Sequence, residues 1–117
     1  MGKTSVMDGI NTVARDIFDH ISKVATRGDV MSVIDAIDRY GYDVQGTMNV
    51  GDIKGEILDR CVQEAAPKNV LELGTYCGYS AIRMARLLKE GAMVYTVEAN
   101  PEFAAVAQKV ISFAGLD

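Results

Sequence analysis

Gly74 and Gly78 bracket the turn Gly74-Thr75-Tyr76-Cys77-Gly78, which follows the short apolar run Asn69-Val70-Leu71-Glu72-Leu73. Glycines there let a backbone pass close to a bound group, and a helix starting just beyond offers N–H groups that lack partners. Ser80 adds a hydroxyl at the same place. Oriented amides of this kind stabilise a carboxylate as readily as a phosphate. Glu98 stands twenty residues beyond Gly78, at the end of the next apolar run, where an acidic side chain can accept both hydroxyl protons of a ribose. The combination describes an adenosine site. It describes equally a strand-turn-helix whose glycines relieve crowding and whose Glu98 is solvated.

The details narrow the ligand. The turn is not G-x-G-x-x-G, so side chains partly block the close approach of backbone to a pyrophosphate, and a nicotinamide dehydrogenase half is weakened as a reading. No Gly-Lys-Ser/Thr follows, so a Walker-type phosphate site fails as well. A ligand with adenosine at one end, a carboxylate at the other and no phosphates fits what remains, and S-adenosylmethionine has that composition.

Positioning these residues requires a strand before each of them and a helix after. The run Asn69 to Leu73 predicts the first strand, and Ala92 to Glu98 the second. Between them Ala81, Met84, Ala85 and Leu88 keep a helical period that Gly91 stops. After the second strand Asn100 can cap a helix, Pro101 suits its first position, and Phe103, Val106, Ala107, Val110 and Phe113 form its apolar face. Upstream lie three helical patterns. The first begins at Ile10 and runs through Ile17, Ile21 and Ala25; Gly28 stops it and Asp29 can cap the next. The second carries Val30, Val33, Ile34 and Ile37 and ends near Tyr40-Gly41, with a loop over Asp43 to Thr47. The third places Ile53, Ile57, Leu58, Cys61, Val62 and Ala65 on one face and is closed by Pro67. Strand-helix-strand at this spacing is the parallel crossover of a doubly wound nucleotide-binding fold.

The chain has 117 residues, of which 49% are hydrophobic and 24% charged, the balance of an ordinary globular protein rather than a disordered one. Its net charge of −4, with no block of Lys or Arg, argues against a nucleic-acid partner. Two cysteines without a CxxC pair, and one histidine, indicate neither a disulfide framework nor a zinc site. No apolar stretch is long enough to span a bilayer, and the first residues have neither a signal peptide's apolar centre nor a myristoylation pattern, so the expected setting is cytoplasmic and away from membranes.

Three segments carry a resemblance: Met48-Asn49-Val50-Gly51-Asp52-Ile53-Lys54-Gly55, Val70 through Ser80, and Val97-Glu98-Ala99-Asn100-Pro101. In this order they resemble the catechol O-methyltransferase family over about residues 10 to 117. The resemblance implies an α/β, Rossmann-like class I methyltransferase fold, incomplete here: three N-terminal helices, then β-α-β-α. Residues 1–9 are expected as a disordered tail, 10–67 as a helical cap and 68–117 as the donor-binding part. By position, Val50 and Ser80 would meet the methionine end of the donor and Glu98 its ribose. Glu72 would help place the ammonium group, Gly74 would line the donor's backbone cradle, and Tyr76 would lie near the sulfonium.

The family also implies a catechol acceptor bound through magnesium, with a lysine that takes a hydroxyl proton. No residue of this chain matches those metal ligands or that lysine, so no catalytic or metal residue is assigned. The expected role is the donor-binding half of such an enzyme, present as a fragment that does not turn over alone. A non-catalytic cofactor-binding or interaction module is the alternative. Gly46 falls where the family has an aromatic gate, and Ala99 where a larger apolar residue packs on adenine. Met48 and Cys77 read as packing residues and His20 as a surface residue. Two parallel strands leave open edges, which predicts self-association, aggregation or a molten state for the chain alone.

Overall fold

A computed structural model describes residues 6–117, with the side chains of Val6 and Met7 left aside. The elements run α1 (Val6–Val24), α2 (Val30–Asp43), α3 (Gly51–Ala65), β1 (Asn69–Leu73), α4 (Tyr79–Ala85), β2 (Met93–Val97) and α5 (Pro101–Ala114). β1 and β2 pair in parallel, with Leu71 opposite Tyr95, Glu72 opposite Thr96 and Leu73 opposite Val97. The expected order of three helices followed by strand, helix, strand, helix is therefore the order found.

The helical periods translate into packing where they meet another apolar face. Ala14, Ile17 and Ile21 of α1, Val33, Ile34 and Ile37 of α2, and Phe103, Val106, Val110 and Phe113 of α5 are buried in one cluster. Burying such side chains contributes roughly 1.5–3 kcal/mol each before the entropy of ordering them is subtracted. Local capping follows the sequence too: Asp29 accepts from the Ser32 N–H, and Asn100 from the Glu102 N–H at 3.0 Å. His20, expected at the surface, is half-buried with its ring 5.5 Å from that of Tyr40.

Several boundaries differ from expectation. α1 starts at Val6 rather than Ile10, so residues 6–9 of the expected tail are helical, while residues 1–5 of it lie outside the described residues. α2 continues through Gly41 to Asp43, and the Val44 and Gln45 N–H groups then close on the Tyr40 carbonyl. α4 ends at Ala85; Leu87 and Leu88 turn back on the Met84 and Ala85 carbonyls in tighter i to i+3 bonds, which take Leu88 out of the helix. α3 ends as Pro67 requires, with Ala66 leaving the helix at φ 44°.

The larger correction concerns α3. Of its expected apolar face only Val62 is buried: Ile53 is 73% and Ile57 55% exposed, and the other residue α3 buries is Gly55. The sheet is likewise covered on one side only. Leu71, Leu73, Met93, Tyr95 and Val97 project from the other side, Leu73 being 80% exposed. Among the described residues, no helix is long and apolar enough to cross a membrane.

Candidate binding site at the strand ends

The two strands end side by side, and the chain after β1 turns sharply across them. The Gly74 N–H extends the ladder to the Val97 carbonyl at 2.8 Å. Gly74, Tyr76 and Gly78 then all take positive φ, at 89°, 52° and 88°. Gly78 caps α4, and its N–H closes the turn on the Thr75 carbonyl at 3.0 Å. Glycine meets this geometry without strain; Tyr76, with a Cβ, does so at a cost of about 1–2 kcal/mol.

Glu98 holds the turn in that shape. Its Oε1 accepts the Thr75 N–H at 3.0 Å and the Tyr76 N–H at 2.8 Å, and its Oε2 accepts the Asn100 N–H at 3.0 Å. Burial pushes this carboxyl up, but the amides of Asn100, Tyr76, Thr75 and Ala99 together outweigh it and hold the group below its ordinary range. The residue is therefore anionic at neutral pH and aimed at the turn.

Glu72 makes a second carboxylate centre on the neighbouring strand. Ser80 donates its hydroxyl to Glu72 Oε2, and Thr96 donates to Oε1 at 2.7 Å. Thr75 and Thr96 share a further hydroxyl contact. A chain of polar groups thus runs from α4 across both strands to the turn.

The aromatic and sulfur groups are placed by burial. Tyr76 sets its ring edge-on against Phe103, with centroids 4.9 Å apart, and desolvation pushes its hydroxyl up to about 12. Cys77 is fully buried, and desolvation likewise raises its thiol to about 12. It donates to Asn49 Oδ1 at 3.1 Å, so it acts as a tether and not as a nucleophile.

Three open cavities flank this arrangement. One of about 330 Å³ lies among Thr75, Thr96, Glu98 and the α5 residues Ala104, Ala107 and Gln108, and one of about 430 Å³ is lined by Leu73, Gly74, Val97, Glu98 and Ala99. Another of about 320 Å³ is lined by Gly46, Thr47 and Met48, by Tyr76, and by Gly9, Ile10 and Val13 of α1. Gly74 and Glu98 thus share one cavity, Tyr76 borders the last, and Glu72 and Ser80 touch each other behind the turn. Val50 is half-buried at the start of α3, packed against the core cluster that includes Cys77 of the turn, and its neighbour Asn49 accepts the Cys77 thiol.

Sequence reasoning passed over Thr75, Thr96 and Asn49. Thr96 had a readable signal, a polar residue at an inward-facing position of a strand, opposite Glu72. Asn49 had none, since its partner lies 28 residues away. Among the described residues, no group of three or more His, Cys, Asp or Glu is placed to hold a metal ion.

Comparison with known proteins gives consistent findings. The family described as O-methyltransferase matches residues 27–117. Catechol O-methyltransferase of Mus musculus is 50% identical over 105 residues, covering 90% of this chain and 40% of that protein. Catechol O-methyltransferase B of Danio rerio is 54% identical over 97 residues, 83% of this chain and 37% of that protein. An O-methyltransferase from Bacillus cereus, solved in complex with SAH, superposes with a TM-score of 0.61 at 28% identity, over 91% of this chain and 48% of that one. The chain spans about two-fifths of the length of the curated relatives named.

Proposed function

This chain belongs to the O-methyltransferase family, carrying part of the Rossmann-like class I methyltransferase fold, and from that premise we propose that it binds S-adenosylmethionine at its strand ends and serves as the donor-binding part of a catechol-type O-methyltransferase. The observation that carries this reading is the pair of carboxylates, Glu72 and Glu98, at the ends of two adjacent parallel strands around one positive-φ turn. A cation-bearing nucleoside with a ribose at one end and an ammonium group at the other matches two such acceptors. Cavity space at the turn supports the fit.

When bound, the donor supplies an electrophilic methyl group. The residues of this chain orient it. Glu98 accepts one ribose hydroxyl on the Oε2 lone pair that its three amide partners leave available. Glu72 attracts the ammonium group, and Ser80, already bonded to Glu72, keeps that carboxylate turned toward it. Gly74 leaves the backbone bare beside the ligand, Tyr76 offers an aromatic neighbour to the sulfonium, and Val50 excludes water from the methionine end. In this division residues 10–67 act as a cap and 68–117 as the donor-binding part. No step is assigned to magnesium, because the described residues supply no cluster for it.

A catechol acceptor is proposed from the relatives' names, and a cytoplasmic setting from the two free cysteines. The 117 residues alone are proposed not to turn over. Methylation of a catechol by the purified chain, given donor and magnesium, would contradict this last point. The decisive measurement for the reading as a whole is calorimetric titration of the chain with S-adenosylhomocysteine. Saturable binding that NAD does not compete away is expected; no heat at millimolar ligand would overturn it.

The bare sheet face favours a second reading, a non-catalytic module that self-associates or recruits a partner through Leu71, Leu73, Tyr95 and Val97. Tight oligomerisation without nucleoside binding would select it.

A further inference from the structure

α3, the helix that begins beside Val50, is tied to the rest of the molecule through charge. The side it turns to α4 presents Gly55, Asp59 and Val62 instead of its isoleucines. Asp59 Oδ1 accepts from Arg83 Nε at 2.9 Å and Arg86 Nη1 at 3.1 Å, and Oδ2 from Arg83 Nη2 at 2.9 Å and Arg86 Nη2 at 2.7 Å. Two guanidinium forks thus close on one carboxylate, a geometry with little freedom to slide. Arg83 is almost fully buried, and its remaining Nη1 donates to the Tyr79 hydroxyl at 2.8 Å. Tyr79 in turn hydrogen-bonds Asp38 on α2. Gly55 admits the guanidinium: a Cβ there would lie 2.5 Å from Arg83 Cζ.

Both ends of this tie lead to the binding site. From Arg83, one turn back along α4 reaches Tyr79 and Ser80. From Asp59, two turns back along α3 reach Gly51 and then Val50 and Asn49, which accepts the Cys77 thiol. The segment that includes Met48 and the turn that includes Tyr76 both line the 320 Å³ cavity, together with Ile10 and Val13 of α1.

We propose that Asp59 and Arg83 are positioning residues for the donor site: their ion pair fixes α3 against α4 and so holds the Met48–Val50 wall over the glycine turn, making donor affinity depend on two side chains that touch no donor. The affinity part of this inference rests on the donor-binding reading above; the wall-holding part does not.

The two cysteines provide a readout that does not require a ligand. Cys61 is exposed on α3, and Cys77 is buried in the turn behind Asn49. In the full chain, N-ethylmaleimide followed by mass spectrometry should modify Cys61 rapidly and Cys77 slowly. Asp59→Asn keeps the side-chain shape and removes the charge. It should speed Cys77 modification about tenfold and weaken S-adenosylhomocysteine binding about fivefold or more, the low end of coupling between sites, with helical content retained. Arg83→Lys keeps the charge without the fork and should fall between, which also covers the case in which Asp59→Asn fails to fold. Ile21→Val, in the α1 core, serves as the control for stability loss.

Unchanged Cys77 protection in both tie variants would overturn the proposal. So would equal effects from Ile21→Val at matched distance below its melting temperature. If the wild-type chain binds no S-adenosylhomocysteine, the donor reading fails instead, and the labelling alone decides whether the pair holds the wall.

Discussion

Replacing Glu98 by glutamine separates the two jobs its carboxylate could do. In the ligand-free chain Oε1 takes two backbone N–H groups and Oε2 a third, at 2.8 to 3.0 Å. Glutamine has one carbonyl oxygen for the Thr75 and Tyr76 amides, and its NH₂ then confronts the Asn100 N–H, donor against donor. One bond is lost and two fall from charge-assisted to neutral strength. At about 1 kcal/mol for each loss or weakening, Glu98→Gln should destabilise the ligand-free fold by about 2–3 kcal/mol. For 117 residues the unfolding entropy is about 0.25 kcal/mol per kelvin, which converts this to a fall in Tm of roughly 8–12 °C. The assay is a far-UV circular dichroism melt without ligand, run at pH 7 and again in acid. Because the folded carboxyl sits below its ordinary range, its stabilisation is full above the unfolded pKa and is lost as pH falls through the folded one. The two proteins should therefore converge in acid. A variant melting within about 2 °C of wild type at pH 7 would refute the reasoning and leave Glu98 free of any part in shaping the turn.

Other substitutions test other parts of the structure. Gly55→Ala forces a Cβ into the Arg83 guanidinium and should cost about 2–3 kcal/mol in chemical denaturation, with most of the loss absent when Arg83 is already alanine. The Asp59 carboxyl, held at about 2 rather than 3.8 by Arg86 and, against the effect of burial, by Arg83, contributes roughly 2 kcal/mol that is complete above about pH 4 and lost as pH falls through about 2; Asp59→Asn should flatten that limb of the stability-pH curve. Asn100→Ala removes the cap of α5 and should cost about 1 kcal/mol. Leu73→Glu with Tyr95→Lys acts on side chains already in solvent, and should reduce self-association seen by light scattering while moving Tm by no more than about 2 °C.

Much of the fold was legible because much of it is local. The apolar faces of α1, α2 and α5 repeat at helical spacing and meet one another, so periodicity and burial coincide at Ile17, Ile34 and Val110. Asp29 and Asn100 cap helices through bonds to residues two or three positions away. α3 misled because its period is as regular, yet what it packs on is an arginine pair 24 and 27 residues along the chain. Periodicity reports which residues share a side of a helix, and says nothing of whether a neighbour covers that side. At the site, Gly74, Ser80 and Glu98 stood out as candidates by type and spacing, whereas Glu72 and Tyr76 were singled out only through the family resemblance. Their bonds were not legible: Glu98 reaches amides 22 and 23 residues back, and Ser80 commits its hydroxyl to Glu72.

Tyr76 shows why that long-range contact matters beyond this molecule. At φ 52° it occupies a region that a free tyrosine avoids, so the bend between the two glycines is not encoded by those five residues in isolation. A synthetic peptide cut from the loop should relax to ordinary extended or helical angles. Grafting the loop onto another parallel sheet should succeed only when an acidic residue is transplanted with it, one that closes the adjoining strand and can grasp two successive amides.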